Sequence, residues 1–139
     1  MFWKKKDEKK FSSIEVAICS LLIHAAKTDE DYQEHEKQLI KDFLFSFTSK
    51  DKKYIEELFL HCEVVEDKSI EIHSMTKEIK AFEYNKRLEI IEILVKLIYS
   101  DERLCHYEDR LLRKVAGLIY IEDKDLGIIK RKIKNDLHS

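Results

Sequence analysis
From Ile14 onward, apolar residues recur three and four positions apart, which is the spacing of one helix face. Ile14, Ile18, Leu21, Leu22 and Ala25 make a first such face, and Ser12 followed by Glu15 has the form of a capping box that opens it. A second helix is expected from near Gln33, carrying Leu39, Ile40, Phe43, Leu44 and Phe47. Thr48 with Asp51 reads as the next helix start, leading to Ile55, Leu58, Phe59 and Cys62, after which residues 63–69 break the period. A fourth helix runs through Ile72, Met75, Ile79 and Phe82. Asn85 suits the N-cap of a fifth, with Leu88, Ile91, Leu94, Val95 and Ile98. That helix is apolar around most of its circumference and is therefore predicted to be the central, most buried one. A sixth passes through Leu111, Leu112, Val115, Ala116 and Ile119, and a seventh begins near Asp123 and carries Leu126, Ile129, Ile133 and Leu137. The pattern predicts an all-α, single-domain bundle of about seven helices over residues 12–139, preceded by a mobile basic and aromatic tail over residues 1–11.

The pattern also repeats. Slid against itself by 72 residues, the chain sets Ile18, Leu21, Leu22, Ala25 and Ala26 on Ile90, Ile93, Leu94, Leu97 and Ile98. Thr28-Asp29-Glu30 then meets Ser100-Asp101-Glu102, and Glu36 meets Glu108. Leu39, Ile40, Phe43, Leu44 and Phe47 fall on Leu111, Leu112, Val115, Ala116 and Ile119, and Asp51 falls on Asp123. Apolar matches arise from any two helices in phase, whereas acidic matches embedded without a gap point to an internal repeat. The bundle is thus built from two related helical hairpins, each a helix, a short acidic turn and a second helix, over residues 14–47 and 86–119.

Composition supports the helical reading and narrows the chemistry. There is no proline, and Gly117 and Gly127 are the only glycines, which disfavours the turn-rich all-β folds. Charged residues make up 39% of the chain, yet the formal net charge is −2, so no global field draws it to nucleic acid. No apolar run approaches membrane-spanning length. Cys19, Cys62 and Cys105 are odd in number and form no C-x-x-C, so they are expected in helices as reduced, small apolar residues in a cytoplasmic setting. No Ser-His-Asp or Cys-His arrangement and no glycine-rich phosphate loop can be read, and the chain is expected not to be an enzyme.

The twice-occurring pattern of an apolar helix, an Asp, a turn residue, an apolar residue and a Glu seven after the Asp resembles the TerB-like family, named for tellurite resistance proteins. The resemblance covers residues 14–137. It is carried best by Tyr99-Ser100-Asp101-Glu102-Arg103-Leu104 and Glu108-Asp109-Arg110-Leu111-Leu112. It departs where such loops have Gly after the Asp, since Glu30 and Glu102 stand there, and where a Ser, Thr or Asp cap is usual, since Gln33 and Cys105 stand there. The resemblance implies an all-helical fold with an acidic surface that binds metal, and no established activity.

Two readings of the acidic turns stay open. Glu36 and Glu108 fall at the third position of their helices, where a Glu reaches back to an unpaired backbone N–H and suits the helix dipole. Alternatively, a two-fold relation of the halves would bring Asp29, Glu36, Asp101 and Glu108 together as a site for a divalent cation (Ca, Mg, Mn or Zn) or a basic partner. An EF-hand is excluded: counting from Asp29, position six is Glu34 rather than Gly and position twelve is Ile40 rather than Glu. Cys19 with His24, His61 with Cys62 and Cys105 with His106 are local pairs of soft ligands, but none has zinc-knuckle spacing. A protein partner is expected, and nucleic acid is not. In the tail, Phe2, Trp3, Lys4, Lys5 and Lys6 have the makings of a weak anchor to the inner, anionic face of a membrane, set against the plainer reading of a mobile terminus. The last alternative is a structural adaptor that recruits a membrane or protein partner through this tail or through an apolar groove.

Overall fold
A computed structural model describes residues 11–27, 32–66, 72–99 and 106–137. Among them are seven α-helices and no strand: α1 (Ser13–Lys27), α2 (Glu34–Thr48), α3 (Lys52–Glu66), α4 (Ile72–Ile79), α5 (Tyr84–Ile98), α6 (His106–Leu118) and α7 (Asp123–Leu137). No helix among the described residues is long and apolar enough to cross a membrane.

The helix starts show which local signals decide. The Ser12–Glu15 box forms as read: the Ser12 N–H donates to the Glu15 carboxylate, and the Glu15 N–H to the Ser12 hydroxyl, both at 3.2 Å. Asp51 caps α3 by accepting the Tyr54 N–H at 2.8 Å. Thr48, expected to share that start, is instead the last residue of α2, and its hydroxyl donates back to the Leu44 carbonyl at 2.7 Å. Asn85 is not a cap either, because α5 begins at Tyr84 with Glu83 at the N-cap, two positions earlier than a cap at Asn85 would set it. Tertiary contacts overrule the local preference there. The Tyr84 hydroxyl donates to Asp125 at 2.6 Å and accepts the Glu122 N–H at 3.1 Å, while the Arg87 side chain donates to the Phe82 and Ile119 carbonyls at 3.0 and 2.7 Å. These bonds tie the first turn of α5 to the α6–α7 corner.

The most buried helix is α1, not α5, although each packs against four others. It packs against α2, α3, α4 and α5, and an almost unbroken run from Ala17 to Ala26 is buried. Its small residues Ala17, Ser20, Ala25 and Ala26 let neighbours approach closely. By contrast α5 carries Glu89, Glu92 and Lys96, which keep one of its faces at the surface.

The repeat is larger than a hairpin. It comprises α1, α2 and α3, then α5, α6 and α7, with α4 between the copies. Ser49 and Tyr120, both at φ 59°, are the non-glycine residues with positive φ among those described, and they follow the ends of α2 and α6. Their separation, 120 − 49 = 71, shows that the second copy has lost one residue before its third helix. Ile55, Leu58 and Cys62 accordingly correspond to Leu126, Ile129 and Ile133, and the capping Asp51 to Glu122 rather than Asp123. The Ile55 N–H bonds the Asp51 carbonyl just as the Leu126 N–H bonds that of Glu122.

Candidate functional site
At the start of α2, Glu36 stands at the third helical position and is 1% exposed. Its Oε1 accepts the Gln33 N–H at 3.1 Å, so the carboxylate satisfies a donor that the helix itself leaves open. Gln33 occupies the cap position, and Glu36 at the third helical position completes a capping box with it.

Tyr32, the first described residue after the acidic turn, is held between cations and a carboxylate. Its hydroxyl donates to Glu63 of α3 at 3.0 Å, and the Lys37 and Lys27 ammonium groups lie 5.0 and 5.7 Å from its ring centroid. Lys37 also pairs with Glu63 at 3.7 Å. Burial first, and then the bond to Glu63, raise the Tyr32 hydroxyl well above its ordinary value. In the second copy the corresponding helices are bridged with the opposite polarity: Asp109 of α6 accepts from Lys130 of α7 at 3.0 Å.

Beneath this corner the two cysteines of α1 and α3 meet. Cys19 and Cys62 are free thiols, both 0% exposed, and they share a hydrogen bond. That bond, aided by the nearby Ser20 hydroxyl, lowers Cys62 despite its burial, whereas burial raises Cys19. His61 points away from its sequence neighbour and packs its ring 5.2 Å from that of Phe11. Phe11 also lies edge-on to Tyr54 at 5.3 Å, so this aromatic is part of the fold. The soft-ligand pairs His61–Cys62 and Cys19–His24 are therefore replaced by a Cys–Cys contact. Sequence spacing could not reveal it, because the partners are 43 positions apart.

Of the four carboxylates expected to converge, Glu36 is the one whose side chain is described. Asp29 and Asp101 lie outside the described residues, as do Cys105 and residues 1–10 of the tail. The backbone of Glu108 lies in the first turn of α6, and its side chain is outside the description. Among the described residues no group of three or more His, Cys, Asp or Glu is arranged to hold a metal ion.

A second feature is built from residues that the sequence did not single out as a site. Between α2 and α5 runs a groove of about 310 Å³. Leu39, Phe43 and Ile93 form its apolar floor, and Asp42, Glu89 and Glu92 line it with acid beside a single cation, Lys96. Glu89 and Glu92 are engaged at the groove's outer side by Lys86 at 3.8 Å and Lys132 at 3.1 Å. Glu89 and Glu92 stand on a helix that the sequence showed as apolar around most of its circumference, and tertiary packing sets them opposite Asp42.

Compared with known proteins, the chain matches the model of the family described as Tellurite resistance protein TerB over residues 15–131. No curated protein and no solved structure matches it.

Proposed function
The chain belongs to the TerB family, and from that premise we propose that it is a binding module rather than a catalyst, acting in a tellurite-type stress response through its duplicated acidic turns. The observation that carries the reading is the repeat itself: Asp29 and Glu36 recur as Asp101 and Glu108 at the same spacing, in corresponding helix pairs. A capping role alone requires one Glu per helix and leaves the accompanying Asp without a task. Four carboxylates duplicated in step suit a hard divalent cation, or a basic partner if no cation is taken. The cap formed by Glu36 engages the carboxylate through Oε1 and is compatible with both.

Thermal melting of chelator-stripped protein separates the two. A cation bound only to the native state raises stability by about 2.7 kcal/mol at a hundredfold excess over Kd. Addition of calcium, magnesium, manganese or zinc is expected to raise the Tm of the native chain. The double substitution Glu36→Gln and Glu108→Gln is expected to abolish that rise while itself costing roughly 0.3–1 kcal/mol per site, since Gln still accepts the backbone N–H but lacks the charge. Identical melts of the native chain with chelator and with all four cations would leave the basic partner as the ligand of these turns.

A further inference from the structure
The acid-lined groove between α2 and α5 has a counterpart that the protein fills with its own helix. Under the 72-residue repeat, α5 corresponds to α1 and α2 to α6. The short helix α4 lies against both α1 and α6. It is anchored by Met75 and Ile79, four residues apart and 2% and 0% exposed, and by the Ser13 hydroxyl donating to Glu78 at 2.8 Å. On α1, Ala17 and Ser20 face Met75 and Glu78 across this seat. Adding 72 turns Ala17 into Glu89 and Ser20 into Glu92, both lining the open groove, and on the other wall Lys114 corresponds to Asp42 (114 − 72 = 42). Ala17 and Ser20 of the filled seat thus have acidic counterparts in the open groove, as does Lys114 of α6. The apolar floor is kept, with Ile93 matching Leu21 and Phe43 matching Val115.

We propose that the groove between α2 and α5 is a docking site for a short amphipathic helix of a protein partner, with two apolar anchors one turn apart and basic residues flanking them. The floor of Leu39, Phe43 and Ile93 takes the anchors, as the counterpart seat takes Met75 and Ile79. The three carboxylates take the cations, which fixes orientation and excludes an acidic competitor. The same charges keep α4 out of this groove, because Glu78 would face carboxylates there instead of Ser13. This surface is built from residues other than those of the acidic turns and stands independently of the cation reading.

The probe is a fluorescently labelled peptide of residues 70–82 carrying Glu71→Lys and Glu78→Lys, followed by anisotropy against the full chain, with the unaltered peptide as comparison. The lysine-bearing peptide is expected to bind saturably and to weaken as salt rises, and the unaltered peptide to bind at least about tenfold more weakly. The double substitution Glu89→Lys and Glu92→Lys, and separately Ser46→Trp, which fills the groove without altering charge, are each expected to weaken binding by at least about tenfold. Glu56→Lys with Glu122→Lys makes the same charge change elsewhere and is expected to leave binding intact. Circular dichroism melts confirm that each variant is folded. The proposal is overturned if the peptide does not bind, or if the control pair weakens it as much as the groove pair. It is equally overturned if amide shifts map to Ser13, Val16 and Ser20, since the peptide would then be replacing α4. Removal of residues 1–10 that tightens peptide binding would make the chain's own tail the occupant and also overturn it.

Discussion
Tyr54 and Tyr32 each donate their hydroxyl to a carboxylate, Glu15 and Glu63 respectively, and both are pushed above the ordinary tyrosine value of 10.0, first by burial and then by that bond. A group whose folded pKa is raised stabilises the fold fully below its unfolded pKa. That contribution is lost as pH rises past it, because only the unfolded chain releases the proton. Tm is therefore expected to fall once pH exceeds about 10, and phenolate absorbance from these two residues should appear together with unfolding rather than before it. Tyr54→Phe should shallow the alkaline fall. Gradual ionisation of both tyrosines with the helical signal intact would show that the carboxylate bonds do not hold the protons. The same scale shows why residue type alone misled at Thr48 and Asn85. Both are good caps in isolation, yet a helix begins where the best sum of local and tertiary bonds is reached, and the tertiary bonds of Tyr84 and Arg87 hold the first turn of a helix that starts ahead of Asn85.

At the scale of the helix, the left-handed residues Ser49 and Tyr120 close α2 and α6 at equivalent places. The Ser49 N–H returns to the Phe45 carbonyl at 3.2 Å, and the Ile121 N–H to the Ala116 carbonyl at 2.8 Å, which satisfies carbonyls that the helix ends leave open. A side chain in this backbone region is strained, and glycine is not. Ser49→Gly is expected to raise stability by roughly 0.5–1 kcal/mol, and Ser49→Val to lower it, read as opposite shifts of the urea midpoint. A destabilising Ser49→Gly would mean that the hydroxyl, not the conformation, governs this corner. The duplicated turn was hidden in the sequence because neither residue is the glycine or asparagine that marks such caps. The one-residue loss in the second copy was hidden for the same reason.

For the molecule as a whole, α1 is the hub on which four other helices rest. Leu22 on it is 0% exposed, and Leu22→Ala is expected to cost about 2–5 kcal/mol in urea denaturation with an unchanged m-value. Leu60 of α3 is 61% exposed, so Leu60→Ala should stay within about 0.5 kcal/mol of the native chain. Comparable costs at the two sites would contradict the burial described. The hub and the groove share an origin in the repeat. Two similar three-helix units pack around their first helices, and the extra helix α4 covers one first helix while leaving the face of the other to Glu89 and Glu92.

By itself the sequence determined the helical class, the seven helices found among the described residues, the Ser12–Glu15 cap, the repeat and the place of Glu36 in its first turn. All of these follow from residues within a few turns of one another, where periodicity and capping act directly. It did not determine which helix is most buried: α1 and α5 each pack against four others, and α1 is buried further because its small residues let those neighbours approach closely, which apolar circumference does not count. The Cys19–Cys62 contact and the groove between Asp42 and Glu89 were likewise decided by tertiary structure. In each, the partners are brought together only when helices some 40 to 50 positions apart in the chain pack, and no local pattern encodes which faces will meet.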